Sequence, residues 1–378
     1  MTASRLLQAF LEMVGIDSPS GEESSMARYL IDKLRAMGLE PRTDAAGNVL
    51  ASLKGKGPKL LLCAHMDNVP PCRGIKAVVE GDWIRSDGST ILGADDKSGV
   101  AVLLEALEVL KEKDLPHLPL EVAFTVREEV GLDGARALNT AALGVAWGLV
   151  LDHGDPVEAV VVAAPTQNSL DVVIHGRASH AGVSPERGIS AIQAASRAIA
   201  ALPLGRLDAE TTANVGTIQG GAARNIVPEE VRLQAEARSH DIKKLQAQTD
   251  LMVKTFQEKA AAIGAVASVE VSRAYTGFSI SPQAPVARRA VDAGRALGMQ
   301  MLLTATGGGS DANVFNDRGI PTIIMSTGYR DAHATSESQS ISAMAQATEL
   351  LVQFLLEGER APAASNSSPC GGRKKKGD

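Results

Sequence analysis

The stretch Lys59–Asp67, KLLLCAHMD, combines a strand with the polar side chains that follow it directly. The unbroken apolar run Leu60–Ala64 is typical of a β-strand that is buried on both faces of a sheet. His65 and Asp67 come where that strand ends. Because ligands in open α/β sheets gather at the carboxyl ends of the strands, this stretch predicts both the sheet and the edge that carries the chemistry.

Two further apolar strands end in acidic residues. Leu120–Val126 (LEVAFTV) is followed, after one arginine, by Glu128 and Glu129, and Trp147–Leu151 (WGLVL) is followed by Asp152. Taken singly, an acidic residue at a strand end is an ordinary solvated group. Together they lead us to expect a histidine and several carboxylates in one crevice at the sheet edge.

Apolar strands that alternate with amphipathic helices predict an α/β fold, in which a mixed, largely parallel sheet lies between helices. Helical periodicity covers Ala3–Val14, Glu22–Met37, Ser98–Leu110, Pro285–Leu297 and Ile341–Leu355. A further strand is predicted at Pro321–Met325, after the middle of the chain.

The pattern changes in the middle of the chain, where the elements follow in the order β-α-β-β-α-β. The segments are Leu170–His175, Ser190–Leu202, Thr211–Ile218, Val231–Ser239, Ile242–Ile263 and Ala267–Ala274. This order is that of the split βαβ motif, a ferredoxin-like α+β sandwich. We predict an inserted domain at 166–282 within a domain built from 1–165 and 283–358, and a polar, disordered tail at 359–378.

The composition excludes several classes of function. The formal net charge of −6 and the 3% aromatic content disfavour nucleic-acid binding, which needs basic patches and stacking surfaces. No apolar stretch approaches the roughly 18 residues of a membrane helix, and the N-terminus is typical of an amphipathic helix rather than a signal peptide. Cys63, Cys72 and Cys370 form no disulfide framework. We therefore expect a cytoplasmic protein without nucleic-acid or membrane partners.

A histidine among several carboxylates predicts a metal site, because the acidic groups would repel one another without a bound cation. Imidazole nitrogen together with carboxylate oxygen suits Zn²⁺, with Mn²⁺ or Co²⁺ as substitutes. Asp95 and Asp96 stand at the start of the helix predicted at 98–110, where either could instead be an N-cap. For Asp96 the capping role is the better interpretation.

Six short motifs resemble those of the zinc exopeptidase family that includes peptidase T, carboxypeptidase G, aminoacylase-1 and succinyl-diaminopimelate desuccinylase. They are AHMD at 64–67, GADDKSG at 93–99, REEVG at 127–131, LD at 151–152, SHAG at 179–182 and HATSE at 333–337. The resemblance extends from about Leu6 to Glu357 and is nearest to the peptidase T branch. It implies a zinc-binding catalytic domain with an inserted lid and dimerisation domain.

The resemblance also implies a ligand set for two zinc ions. His65 and Asp152 would hold one ion, and Glu129 and His333 would hold the other. Asp95, two residues before the lysine of its motif, would bridge them. Two ions that share a carboxylate lie about 3.5–4 Å apart in two-metal hydrolases.

Catalytic roles follow from the same resemblance. Asp67 would orient His65 through the ring N–H, and Glu128 would be the general base. His180 in the lid would donate a hydrogen bond to the developing oxyanion, often across a dimer.

Two loops resemble substrate contacts of the family. Arg224 and Asn225, in GGAARNIVP at 220–228, would bind a substrate carboxylate and the peptide backbone. Gly308 and Ser310 lie in the glycine-rich GGGSD at 307–311, whose backbone N–H groups would bind a carboxylate or carbonyl. This loop lacks the pattern of a nucleotide P-loop.

Together these features predict a dinuclear zinc aminopeptidase that acts on di- and tripeptides through a metal-activated water and forms a homodimer through the inserted domain. An N-acyl-amino-acid deacylase or a carboxypeptidase of the same family would share the metal chemistry, so the motifs leave that alternative open. A non-catalytic metal-binding homologue is the second alternative, and it would be expected to have lost part of a site that is complete here.

Overall fold

The computed structural model describes residues 3–357, so the tail predicted at 359–378 lies outside the described residues. From Ala3 to Ala164 the chain forms α1 (Ala3–Val14), α2 (Ser24–Ala36), β1 (Arg42–Thr43), β2 (Val49–Leu53), β3 (Leu60–His65), β4 (Ala77–Glu80), β5 (Trp83–Ser86), α3 (Ala94–Glu112), β6 (Leu120–Thr125), α4 (Asp133–Ala137), α5 (Thr140–Leu143), β7 (Trp147–Val150) and β8 (Ala159–Ala164). From Thr166 to Leu355 it forms β9 (Thr166–His175), a 3₁₀ turn (Pro185–Arg187), α6 (Ala191–Ala201), β10 (Gly205–Arg206), β11 (Thr211–Gly220), β12 (Glu230–Ser239), α7 (Ile242–Ala261), β13 (Val266–Tyr275), β14 (Phe278–Ser279), α8 (Pro285–Ala296), β15 (Leu302–Ala305), α9 (Asp311–Asp317), β16 (Thr322–Met325), β17 (Tyr329–Arg330), β18 (Ser338–Ser340) and α10 (Ile341–Leu355). Within the described part of the chain, no helix is both long and apolar enough to span a membrane.

The large sheet has a parallel centre and antiparallel flanks. Its strands lie in the order β1-β2-β6-β3-β7-β16-β8-β14, and β15 also pairs with β8. The central strands β6, β3, β7 and β16 run parallel, whereas the strands on both sides join antiparallel. The predicted mixed sheet is confirmed. Because β6, β3 and β7 are parallel neighbours, their carboxyl ends meet at one edge, which brings together the residues that follow them.

The strand β3 is buried on both faces because helices cover both sides of the sheet. Leu60, Leu62 and Ala64 pack into a core with α1, α2, α3, α8 and α10. Leu61 and Cys63 pack into a second core with α4, α5 and α9. Burying a leucine side chain completely stabilises a fold by about 1.5–3 kcal/mol, so the unbroken apolar run is explained by burial from both sides.

A second sheet is antiparallel, in the order β10-β11-β12-β9-β13, and α6 and α7 pack against one of its faces. Leu170, Val172 and Ile174 alternate into this separate core, whereas Asp171 and His175 are exposed on the opposite face. Apart from the short β10, the order of elements is β-α-β-β-α-β. The predicted ferredoxin-like class is therefore confirmed.

We propose the domain division that the sequence predicts, with 166–282 inserted between 1–165 and 283–358. The first boundary coincides with the start of β9 at Thr166. The chain returns slightly before the second boundary, because β14 already pairs with β8 of the large sheet.

A small sheet, in the order β17-β18-β5-β4, has no counterpart in the sequence prediction. Its strands are two to four residues long, which is too short for alternation of polar and apolar residues to be recognised. The loop between β17 and β18 carries His333.

Candidate metal centre

His65 ends β3 with its ring held between two acidic residues. The residue is 2% exposed. Its Nε2 lies 3.2 Å from Asp95 Oδ1, and its Nδ1 lies 3.0 Å from the backbone carbonyl oxygen of Asp67. The Asp67 carboxylate, predicted as the partner of the ring N–H, is farther from Nδ1, at 3.5 Å. Donation from Nδ1–H to the Asp67 carbonyl therefore directs Nε2 toward Asp95.

The Asp67 carboxylate instead holds the backbone of the glutamate pair. Its Oδ1 accepts the N–H of Glu128 at 3.0 Å, and its Oδ2 accepts the N–H of Glu129 at 3.2 Å. Oδ2 also accepts the hydroxyl of Ser20 at 2.7 Å. Asp67 thus connects the segment after β6 with the end of β3 and fixes the backbone of both glutamates at the crevice.

The carboxylate of Asp95 lies between two histidines. Its Oδ1 faces His65, and its Oδ2 lies 3.4 Å from His333 Nε2. His333 Nε2 also lies 2.9 Å from Glu129 Oε1. The histidine from the late loop therefore reaches the same crevice as the residues that follow the parallel strands.

The structure corrects the predicted capping role of Asp96. α3 begins after Gly93, whose φ of 74° is left-handed, and it is kinked at Asp95 and Asp96, so its regular part begins after Asp96. Among the described residues, however, no capping hydrogen bond is made by Asp96, because its Oδ1 has no partner. Asp96 Oδ2 accepts the backbone N–H of His65 at 3.1 Å. Its Oδ1 packs over Gly99, where a Cβ atom would lie 2.2 Å from that oxygen and 2.1 Å from the carbonyl oxygen of Leu151. The left-handed φ of Gly93 and the close packing around Gly99 therefore explain why glycine stands at both ends of GADDKSG.

The structure brings the five predicted ligands together. Three sets of side chains each offer donor atoms within 4.8 Å of one another: His65 with Asp95 and Asp152, Asp95 with Glu129 and His333, and His65 with Glu128 and Glu129. The first two sets have Asp95 in common. Glu128 belongs only to the third set, with His65 and Glu129, and to neither of the two sets that contain Asp95.

Two buried carboxyl groups of this cluster, those of Asp152 and Glu128, favour their protonated forms. Burial, and then the charge of Asp95, raises the pKa of Asp152 well above its usual value. Burial also raises the pKa of Glu128 well above its usual value, with the charge of Asp152 acting in the same direction. Without a cation, protons must therefore compensate part of the negative charge.

The two histidines favour their charged forms. Hydrogen bonds with Asp95 and Glu129 raise the pKa of His333 to about 10. Burial by itself would lower the pKa of His65, but the neighbouring carboxylates of Asp67 and Asp95 raise it well above its usual value. The cluster thus holds protons on groups that a metal ion requires in their deprotonated forms.

This donor set fits divalent metal ions. It offers imidazole nitrogen and carboxylate oxygen, the combination that Zn²⁺ takes in catalytic sites and that Mn²⁺ and Co²⁺ also accept. A divalent cation would compensate the carboxylates that protons otherwise neutralise, and its binding would release those protons.

The predicted lid residues lie beside one another and make no described contact with this cluster. His180, Arg224 and Asn225 are exposed, and the carbonyl of Asn225 accepts the N–H of Ala181 at 3.0 Å. His180 Nδ1 accepts two backbone N–H groups of its own turn, each at 3.1 Å. In the neutral ring the proton is therefore on Nε2. Within residues 3–357, no hydrogen bond or ion pair joins His180 or Arg224 to the five predicted ligands.

In the glycine-rich loop, Ser310 caps a helix. Its hydroxyl accepts the N–H of Ala312 at 3.2 Å, and its own N–H donates to Asn313 Oδ1 at 3.0 Å, which forms a capping box at the start of α9. The N–H of Gly308 donates to the hydroxyl of Thr306 at 3.2 Å. Both polar groups of the buried Ser310 are thus used in local folding.

Two buried residues near the site have no counterpart in the sequence prediction. Asp311 Oδ2 accepts the hydroxyl of Thr125 at 2.6 Å, while its Oδ1 has no hydrogen-bond partner among the described residues. Tyr329 donates its hydroxyl to Asp152 Oδ1 at 3.3 Å. Asp311 stands at the start of a helix, where an acidic residue is ordinary, and the sequence around Tyr329 carries no signal.

Known proteins resemble this chain in both sequence and structure. Residues 61–357 match the model of peptidase family M20/M25/M40. The chain is 41% identical to the uncharacterized protein YqjE of Bacillus subtilis, over 94% of this chain and 99% of that protein. Among solved structures, it is 39% identical to a tripeptidase from Staphylococcus aureus, with a TM-score of 0.87, and the match covers 94% of this chain and 98% of that chain. It is also 40% identical to the aminopeptidase PepT from Bacillus cereus, with a TM-score of 0.81 and the same coverage of 94% and 98%.

Proposed function

The chain belongs to peptidase family M20/M25/M40, and we propose that it is a dinuclear zinc aminopeptidase that removes the first residue of di- and tripeptides. The observation that carries this proposal is the position of Asp95. Its carboxylate is common to two sets of donor atoms, one with His65 and Asp152 and the other with Glu129 and His333. One carboxylate that serves two sets is the arrangement of a two-metal hydrolase.

In this proposal the five residues would hold two Zn²⁺ ions, for which Mn²⁺ or Co²⁺ can substitute. When bound, the ions supply Lewis acidity toward the peptide carbonyl and lower the pKa of a water molecule. Glu128 accepts the proton of the attacking water and delivers it to the leaving amine. Its burial supports this role, because burial raises the pKa of the Glu128 carboxyl group and so makes its carboxylate a stronger base toward the proton of water.

His180 supplies a hydrogen bond to the developing oxyanion in this mechanism. The tautomer of the neutral His180 ring supports this role, because Nδ1 accepts hydrogen bonds and Nε2–H is left as the donor. Because its side-chain contacts lie within its own turn, we propose that the donor reaches the site across a homodimer formed by the inserted domain.

Arg224, Asn225 and the loop backbone around Gly308 are the proposed substrate contacts. The exposed guanidinium of Arg224 can bind a peptide carboxylate with two hydrogen bonds. Ser310 contributes to the shape of the loop, because its hydroxyl and N–H are both used in the capping box. We place the enzyme in the cytoplasm, where the buried thiols of Cys63 and Cys72 stay reduced.

Deacylase and carboxypeptidase activities are the competing proposals, because they use the same metal chemistry. The two solved structures near 40% identity favour the aminopeptidase, since one is described as a tripeptidase and the other as an aminopeptidase. A non-catalytic homologue is disfavoured because all five donors and Glu128 converge.

Trialanine should be cleaved at its first peptide bond, and N-acetyl-trialanine should be cleaved at least about 10²-fold more slowly, because a site that binds a free amine leaves polar groups unpaired against an acyl group. The assay uses metal-stripped protein with Zn²⁺, Mn²⁺ or Co²⁺ added separately, and products are identified by mass spectrometry. Trialanine amide is the matched control, since it keeps the free amine and lacks the carboxylate. Faster cleavage of the acetylated peptide would establish a deacylase or carboxypeptidase instead.

A further inference from the structure

Glu337 makes three hydrogen bonds to the backbone beside Asp95. Its Oε2 accepts the N–H of Leu92 at 2.8 Å and the N–H of Gly93 at 2.7 Å, and its Oε1 accepts the N–H of Asp95 at 2.9 Å. The side chain of Glu337 is fully buried. Hydrogen bonds from backbone N–H groups to a carboxylate are stronger than those between neutral groups, so this contact holds the turn before α3 firmly.

The contact joins two segments that carry proposed ligands. Glu337 comes four residues after His333, and its own N–H donates to the carbonyl of Ala334 at 3.0 Å, which closes the turn between them. The next residues form β18, which pairs with β5. One carboxylate thus connects the loop of His333 with the turn of Asp95, although the two segments are more than 200 residues apart in the chain.

Among the described residues, Glu337 forms no ion pair with a lysine, arginine or histidine. All three hydrogen bonds that its carboxyl group accepts come from backbone N–H groups between Leu92 and Asp95. Burying a carboxyl group is costly unless hydrogen bonds satisfy its oxygens, and here three backbone N–H groups do so. The turn that donates them is itself buried. One of the three N–H groups is that of Asp95, whose carboxylate is common to both donor sets, so these bonds fix the backbone at a proposed ligand.

We propose that Glu337 is a positioning residue of the metal centre, which sets the backbone of Asp95 relative to His333. The inference rests on the proposed function, because it assumes that these two side chains bind the same ion. Glu337 touches neither metal nor substrate in this account. It acts by fixing the separation of two ligands, and such supporting residues typically change metal affinity about 10- to 100-fold when they are replaced.

Glu337→Gln is the test, because it keeps the size of the side chain and removes one acceptor. An amide has a single acceptor oxygen, and its NH₂ group cannot accept a hydrogen bond. Whichever way the amide is oriented, at least one of the three N–H groups faces NH₂. Zn²⁺ affinity of the metal-stripped protein, measured by competition with a chelating dye, should fall about 10- to 100-fold. At saturating Zn²⁺, kcat should return toward the wild-type value with KM unchanged.

Asp44→Asn is the matched control. Asp44 Oδ1 also accepts three backbone N–H groups, those of Ala46, Gly47 and Asn48, at 2.9, 3.1 and 3.0 Å. Its Oδ2 accepts the side-chain N–H of Asn48 at 2.7 Å, and this is the bond that the NH₂ group of asparagine cannot accept. None of these bonds reaches one of the five proposed ligands. This variant should lower the midpoint of thermal unfolding of the metal-free protein, because it loses a bond to the buried Asn48. It should leave Zn²⁺ affinity within about twofold of the wild type, as expected for a substitution away from the site.

Glu337→Asp provides a second variant, which keeps the charge on a shorter side chain. Its Zn²⁺ affinity should lie between those of the wild type and Glu337→Gln. The inference is overturned if the glutamine variant, folded by circular dichroism, binds Zn²⁺ as tightly as the wild type, or if Asp44→Asn weakens Zn²⁺ binding equally. If the wild-type chain itself bound no Zn²⁺, the proposed function would fail with it, whereas wild-type binding with an unaffected glutamine variant removes the role of Glu337 alone.

Discussion

Glu128→Gln should keep both metal ions and lower kcat by about 10²- to 10⁴-fold, the usual contribution of a general acid–base group. Glu128 belongs to neither of the two donor sets that have Asp95 in common. Its backbone N–H is held by Asp67 at 3.0 Å, a contact that the substitution does not change. Glutamine preserves the shape of the side chain but cannot accept a proton from water at neutral pH.

Glu129→Gln is the matched control, because the same chemical change is made one residue later. Glu129 Oε1 lies 2.9 Å from His333 Nε2 within the second donor set, so this variant should bind less metal. Metal content by inductively coupled plasma mass spectrometry and kcat on trialanine should therefore distinguish the role of Glu128 from that of Glu129. If Glu128→Gln lost metal as Glu129→Gln does, Glu128 would be a ligand, as the third donor set allows. A fully active Glu128→Gln enzyme would exclude it as the base.

Asp95→Asn should have the largest effect of all, with weaker binding of both ions and a loss of activity of at least about 10⁴-fold, because general-base and electrostatic catalysis both depend on the bound ions. Asp95 lies between His65 and His333, with one oxygen toward each. An amide presents only one acceptor oxygen and carries no charge. Removing this carboxylate therefore weakens both donor sets at once.

Asp96→Asn is the control for this prediction. Burial raises the pKa of Asp96 well above its usual value, so the neutral amide is a close substitute for the residue. Its contact with the backbone N–H of His65 needs only one acceptor oxygen. The Asp96 variant should keep both metal ions, as counted by mass spectrometry. If Asp95→Asn retained two ions, the proposal that Asp95 is a ligand of both ions would be contradicted.

The strand-end part of the site was predictable because it depends on local pattern and on one rule of sheet topology. Apolar runs identify β3, β6 and β7, and parallel neighbours bring their carboxyl ends to one edge. His65, Glu129 and Asp152 then meet without knowledge of the rest of the chain. His333 could be placed only through its motif, because it lies in a loop whose position depends on the small sheet of very short strands.

Other features depend on contacts between distant parts of the chain. Asp96 looks like a helix cap in the sequence, but the end of β3 supplies a backbone N–H for it to accept. Ser310 lies in the glycine-rich loop that was predicted to contact substrate, but the helix that begins after it uses its hydroxyl and its N–H. The hydroxyl that Asp311 accepts lies 186 residues away in the chain, and the N–H of Asp95 that Glu337 accepts lies more than 240 residues away. Propensity and periodicity describe neighbours along the chain and carry no information on such pairs.

In the proposed site, the carboxylate of Asp95 would bind both metal ions. Anomalous X-ray diffraction at the zinc edge, on crystals grown with Zn²⁺, tests this directly. The expected result is two peaks about 3.5–4 Å apart, one beside His65 and Asp152 and the other beside Glu129 and His333, with Asp95 between them. A single peak, or two peaks that do not both contact Asp95, would contradict it.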